Sequence, residues 1–78
     1  MTTHLEHHDP TVNCFRFYRL EVQATLFGDW SLIRNWGRIG SWGRTVISSY
    51  PTRSEAEAAE ARMTRLKTRR GYVRLGPA

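Results

Sequence analysis

The densest chemistry in the chain lies at Trp36-Gly37-Arg38 and its echo six residues on, Trp42-Gly43-Arg44. A Trp ring can lie flat on a sugar or a terminal base, a contact worth about 1–3 kcal/mol per stacked base. An Arg two residues further on can grip a phosphate through two parallel N–H bonds. Strand periodicity alone also allows Trp36 a place on the core face with Trp30 and Leu32. Gly37, Gly40 and Gly43 recur every three residues. No Gly-Lys-Ser or Gly-Lys-Thr follows them and the pattern leads into a hairpin, so turn geometry explains them better than a phosphate-cradling loop. Further on, Lys67 and Arg70 extend a helical apolar stripe toward its C-terminal end, with Tyr72 just past Gly71. Their cationic heads run out over a sheet edge, either snorkelling or forming a positive pocket walled by Tyr72.

The remaining candidates for chemistry are His4, His7, His8 and Cys14. Two or three of these imidazoles are spaced to reach one Zn²⁺ or Ni²⁺, but a structural site takes four ligands in a rigid frame. In their polar surroundings they read as part of a tail, with no metal and no cofactor expected. The folded part then has no imidazole to act as a base or to activate Cys14 or a serine. Glu55, Glu57 and Glu60 sit on an early helix turn, where solvation is their expected role. The sequence reads as a binding module and not as an enzyme.

Composition agrees with that reading. Seventy-eight residues form one domain, which buries only about 60% of the surface its unfolded chain exposes. Lys and Arg total 12 against 7 acids, a net charge of +5, and Lys67 is the only base that is not Arg. The planar Arg fork suits phosphate and flat rings, so an Arg-dominated surplus points toward nucleic acid. GC-rich coding is the competing source of that surplus. A single cysteine cannot form an internal disulfide, which argues against a stapled secreted mini-protein. No stretch approaches the ~20 apolar residues of a membrane span, and the N-terminus lacks the pattern of a secretory signal. A cytoplasmic monomer is the expectation.

The elements that must position these residues follow from periodicity. Residues 1–12 are polar, with a lone Leu5 and a break at Pro10, and read as a disordered tail. Tyr18, Leu20 and Val22 alternate with Phe17, Arg19 and Glu21 as a half-buried strand. Residues 23–29 form a loop. Trp30, Leu32, Arg34 and Trp36 share one face of a second strand, and Arg44 to Tyr50 is a β-branched third. Thr52-Arg53-Ser54-Glu55 fits a capping box that opens a helix over about residues 53–70. On it, Ala56, Ala59, Met63 and Leu66 make a narrow apolar stripe, and small alanines let the helix lie close on the sheet. Acids crowd its first half and bases its second, which suits the helix dipole. Gly71 reads as the C-terminal cap, Tyr72 to Leu75 as a short last strand, and residues 76–78 as a frayed end. The fold class is α+β: a small antiparallel sheet of three to five strands with one helix across a face.

Trp36-Gly37-Arg38-Ile39-Gly40 resembles the motif that names the WGR domain. Phe17-Tyr18 followed by Leu20 looks like the aromatic pair of that family's first strand. Gly40 and Gly43 match its Gly-x-x-Gly turn, and Lys67-Thr68-Arg69-Arg70-Gly71-Tyr72 is similar to its closing Lys-Thr-x-x-Gly-Tyr/Trp segment. The resemblance covers about residues 13–75 and looks like the stand-alone bacterial kind. It implies a domain that binds DNA ends or nicks with little sequence specificity. Trp36 would pack on the strand end, Arg38 would hold phosphate or a partner, and Lys67 and Tyr72 would line the terminal-phosphate side. Arg44, where the family often has Gln, and Arg70 would add phosphate contacts. Two other readings use the same surface. One is a protein-interaction adaptor with Trp36, Arg38 and Trp42 as hot spots. The other is single-strand or RNA binding.

Overall fold

The computed structural model describes residues 2–75. Its elements run β1 (Thr2–Asp9), a 3-10 turn (Pro10–Val12), β2 (Cys14–Ala24), β3 (Trp30–Arg38), β4 (Arg44–Tyr50), α1 (Arg53–Arg69) and β5 (Val73–Leu75). All five strands form one antiparallel sheet in the order β4-β3-β2-β1-β5. Strands β1 to β4 are a meander, and α1 carries the chain from one sheet edge to the other. Seventeen residues at ~1.5 Å each give a helix of about 25 Å. Four strand spacings of ~4.8 Å are about 19 Å, so one helix of this length spans the sheet.

The segment expected to be a tail is instead an inner strand. β1 pairs with β2 along eight residues, Thr2↔Glu21 to Asp9↔Cys14, and with β5 at His4, Leu5 and Glu6. Leu5 is wholly buried, opposite Tyr18. Thr3 is buried as well, and its hydroxyl donates to Glu60 Oε1 at 2.9 Å. Thr64 donates to the same oxygen at 3.0 Å. Glu60 therefore ties β1 to α1 and does not merely solvate the helix. The polar residues of β1 disguised it: its inward face is Thr3, Leu5 and His7, with one apolar side chain among them. The frayed end expected at residues 76–78 lies outside the described residues.

Elsewhere the alternation holds. Leu5, Tyr18, Leu20, Val22 and Leu32 from the sheet meet Ala56 and Ala59 of α1 in a single core. Trp30, Trp36, Tyr50, Met63 and Tyr72 pack around it. Leu66 departs from the expected stripe: its side chain is 40% exposed, beside a hollow between α1 and strands β3 and β4. Thr52 caps the helix by accepting from the Glu55 amide. No helix among the described residues is long and apolar enough to cross a membrane.

The helix ends in a tight reversal. The Gly71 amide bonds the Thr68 carbonyl at 3.2 Å and the Tyr72 amide bonds the Lys67 carbonyl at 3.1 Å. This is a Schellman closure, which needs a left-handed residue just beyond the helix; Gly71 supplies it at φ +98°. Lys67-Thr68-Arg69-Arg70-Gly71-Tyr72 is thus a positioning device that brings Tyr72 back over Lys67.

Candidate nucleic-acid interface

At the end of the sheet beyond the helix, β2 and β3 run side by side with Tyr18↔Trp36 and Arg16↔Arg38 in register. Tyr18 and Trp36 stack, with centroids 5.6 Å apart and planes 16° off parallel. Tyr72 meets Tyr18 edge-on at 6.3 Å. The Lys67 ammonium lies over both tyrosines, 4.7 Å from the Tyr18 centroid and 5.6 Å from that of Tyr72. The Arg34 guanidinium lies 5.8 Å from the Trp36 ring. Trp36 is half-buried, so the core placement and the exposed-ring placement are both partly realised.

Trp36, Lys67 and Tyr72 line a cleft of about 430 Å³. Arg16, Arg38 and Lys67 supply cations, Trp36, Tyr72 and Phe15 supply rings, and Asn13 and Cys14 supply polar atoms at the start of β2. No carboxylate lines it among the described residues. Burial holds the Lys67 ammonium below the ordinary lysine value, and the charges of Arg70, Arg16 and Arg34 lower it further. Burial likewise pushes the Tyr72 hydroxyl up. Among the described residues, Arg53 alone of the twelve bases is ion-paired, and its partner Glu57 sits on the first turns of α1. The cleft is therefore a concentration of unmatched positive charge with aromatic walls. That suits an anion carrying a flat or apolar neighbour.

Four sequence-derived residues meet there: Trp36, Arg38, Lys67 and Tyr72. Arg44 and Arg70 do not line the cleft. Arg44 is the register partner of Trp36 on β4, and Arg70 caps α1; both side chains are exposed. Arg16, which does line the cleft, was missed. The same alternation that placed Tyr18 puts it on the same face, two residues away.

The rim past Arg38 turns sharply. The Ser41 amide and hydroxyl both donate to the Arg38 carbonyl, at 3.0 and 2.7 Å. Asn35 Nδ2 donates to the carbonyls of Trp42 and Arg44 at 3.1 and 3.0 Å. The turn folds so tightly that a Cβ at Gly43 would lie 2.3 Å from the Trp36 carbonyl oxygen and 2.9 Å from the Phe17 ring. Its φ of +71° adds a second reason for glycine. The Trp36-Gly37-Arg38 segment is held in place by this turn.

The imidazoles are all within the folded sheet, which removes one premise of the non-enzyme reading. They do not converge. His4 and His8 approach the Glu6 carboxylate from either side, at 2.9 and 2.7 Å, on the face away from α1. Those two contacts hold Glu6 below the ordinary glutamate range. His7 faces the other way, with Nδ1 at 3.9 Å from Cys14 Sγ and its ring 5.4 Å from that of Tyr72.

A meander crossed by one helix, a Trp-Gly-Arg strand exit and a helix-ending lysine closing a basic aromatic cleft define a class. The WGR domain family model matches residues 1–78, and the chain belongs to that family. In poly(ADP-ribose) polymerases the WGR domain is a nucleic-acid-binding module. A crystal structure of a protein from Bacteroides fragilis shares the fold with a TM-score of 0.82 at 26% identity. The match covers 97% of this chain and 20% of that one, so this chain spans about a fifth of that protein's length. No curated protein matches the chain.

Proposed function

We propose that this chain binds the ends or nicks of DNA, with little preference for sequence, and that it works by binding rather than by catalysis. The observation that carries the reading is the basic cleft: Arg16, Arg38 and Lys67 surround one hollow with Trp36 and Tyr72 in its wall and no carboxylate in its lining among the described residues. A terminal phosphate is an anion next to a sugar and a base. The cations take the phosphate, and the accessible part of Trp36 packs on the sugar or terminal base beside it. Arg44 and Arg70 flank the cleft and attract the backbone at longer range. None of these groups is placed to read a base edge in a groove, hence the lack of sequence preference.

The test is fluorescence anisotropy on a 5′-phosphorylated blunt duplex, a nicked duplex, a closed hairpin duplex, single-stranded DNA and single-stranded RNA, across a salt series. Open or nicked duplex should bind best, and Trp36→Ala and Arg38→Ala should each remove that preference. Equal affinity for open and closed duplex would eliminate end recognition. Binding to none of the five at low salt would favour the adaptor reading.

A further inference from the structure

The face of the sheet away from α1 carries a second cleft, of about 330 Å³. Trp36, Gly37 and Arg38 line the basic cleft, while the next residues, Ile39 to Trp42, line this one. The two clefts thus adjoin along the chain at the Arg38–Ile39 step of the strand exit. Trp42 stands at the rim with its side chain 96% exposed, in a turn whose backbone is fixed by Asn35 and Ser41. It has not folded back on the hairpin, and the fold gains nothing from its burial. Phe17 forms part of the lining, with the His4 ring stacked near it at 6.5 Å and 11°.

The polar lining distinguishes a base from a phosphate. Glu6 contributes a carboxylate, kept in place by His4 and His8, and a carboxylate repels phosphate. The same group accepts from exocyclic amines, as acidic side chains do from cytosine N4. Asn35 and Arg19 also line the cleft and supply further polar contacts. Aromatic surface with an acceptor inside and an arginine beside it suits a single unpaired base.

We propose that this cleft is a second subsite that takes an unpaired, amine-bearing nucleobase, with Trp42 stacking on it, so that the domain prefers DNA ends carrying a single-stranded overhang. This rests on the end-binding reading above and adds a substrate class to it. The test compares a 5′-phosphorylated blunt duplex with the same duplex bearing a short oligo-dC or oligo-dT overhang on either strand, using the wild-type chain and Trp42→Ala. The dC overhang should bind about tenfold tighter than the blunt end, within the range of one stacked base. The dT overhang should gain less, and Trp42→Ala should bring the overhang duplexes down to blunt-end affinity. Thermal melts of the free variant should match wild type, since the side chain is exposed. Blunt-end binding with no gain from any overhang, or a gain that survives in Trp42→Ala, would overturn the subsite and leave end binding standing. Binding to neither blunt nor overhang duplex would overturn both.

Discussion

Lys67→Met should separate binding from stability. The ammonium rests on two tyrosine rings, partly buried, and its charged neighbours are Arg70, Arg16 and Arg34. A cation placed to stabilise a fold has an acid beside it; among the described residues this one has none within ion-pair distance. Its contact with the rings is worth at most about 2 kcal/mol, and desolvation and like-charge repulsion oppose it. Methionine keeps the reach and adds a sulfur–aromatic contact of about 0.3–1.5 kcal/mol. The urea midpoint of the free variant should therefore stay the same or rise. Binding loses a charge-assisted phosphate contact of about 1.5–3 kcal/mol, a fall of about 10- to 150-fold at low salt. With Arg16, Arg38 and Lys67 engaged, log K should fall against log salt with a slope of about −2.7 on duplex DNA, and about −1.8 in the variant.

The pH dependence supplies an independent readout. The folded-state pKa of Lys67 is below its unfolded value, so between the two the unfolded chain binds more protons. The penalty for the buried ammonium is present at neutral pH and is lost as pH rises through the folded value. Wild-type stability should thus gain relative to Lys67→Met over that alkaline window. Tyr72, raised by burial, works in the opposite direction in both proteins, and the difference curve removes it. A destabilisation of more than about 2 kcal/mol, the size of a core truncation, would refute the reasoning by making Lys67 structural. Unchanged affinity for a 5′-phosphorylated nick would refute it by removing phosphate from the cleft.

Leu5→Ala should cost about 2–5 kcal/mol, because Leu5 is wholly buried between sheet and helix; urea denaturation followed by Trp fluorescence measures it. Gly71→Ala should cost about 1–2 kcal/mol through its left-handed φ, and nick affinity should fall as Tyr72 moves off Lys67. Gly43→Ala should weaken binding more than Gly71→Ala, since the new Cβ meets the Trp36 carbonyl and not a movable side chain; anisotropy on the nick checks the order. Glu6 is held below its ordinary range by His4 and His8, so its contribution is present above the unfolded glutamate pKa and lost as pH falls through the folded one. Glu6→Gln should flatten that acid limb in melts at successive pH values.

Strands β2, β3 and β4 were legible because aromatic and β-branched residues alternate cleanly there, and α1 because Thr52 and Gly71 mark its ends. β1 was not. Its buried positions are Thr3 and Leu5, and Thr3 belongs inside only because Glu60, far along the chain, accepts a hydrogen bond from its hydroxyl. A local pattern cannot register a partner from another element. The same limit governed the site. Trp36, Arg38, Lys67 and Tyr72 could be placed through motifs, while Arg16 joins Arg38 only through register, which the pairing of β2 with β3 fixes in the folded sheet. Arg44 and Arg70 show the converse: basic residues near a motif in sequence need not reach its cleft.

Because β1 is an inner strand and β5 pairs with it, His4 and Leu75 are cross-strand neighbours. Residues on adjacent antiparallel strands lie about 5 Å apart, so the two ends of the fold leave it side by side. A host protein could accommodate the whole domain in place of one surface loop without being pried open. The fold should also tolerate circular permutation, with residues 2 and 75 joined by a short linker that keeps Thr3 in place. The exposed Leu26-Phe27 tip between β2 and β3, remote from both clefts, is the natural place for the new termini.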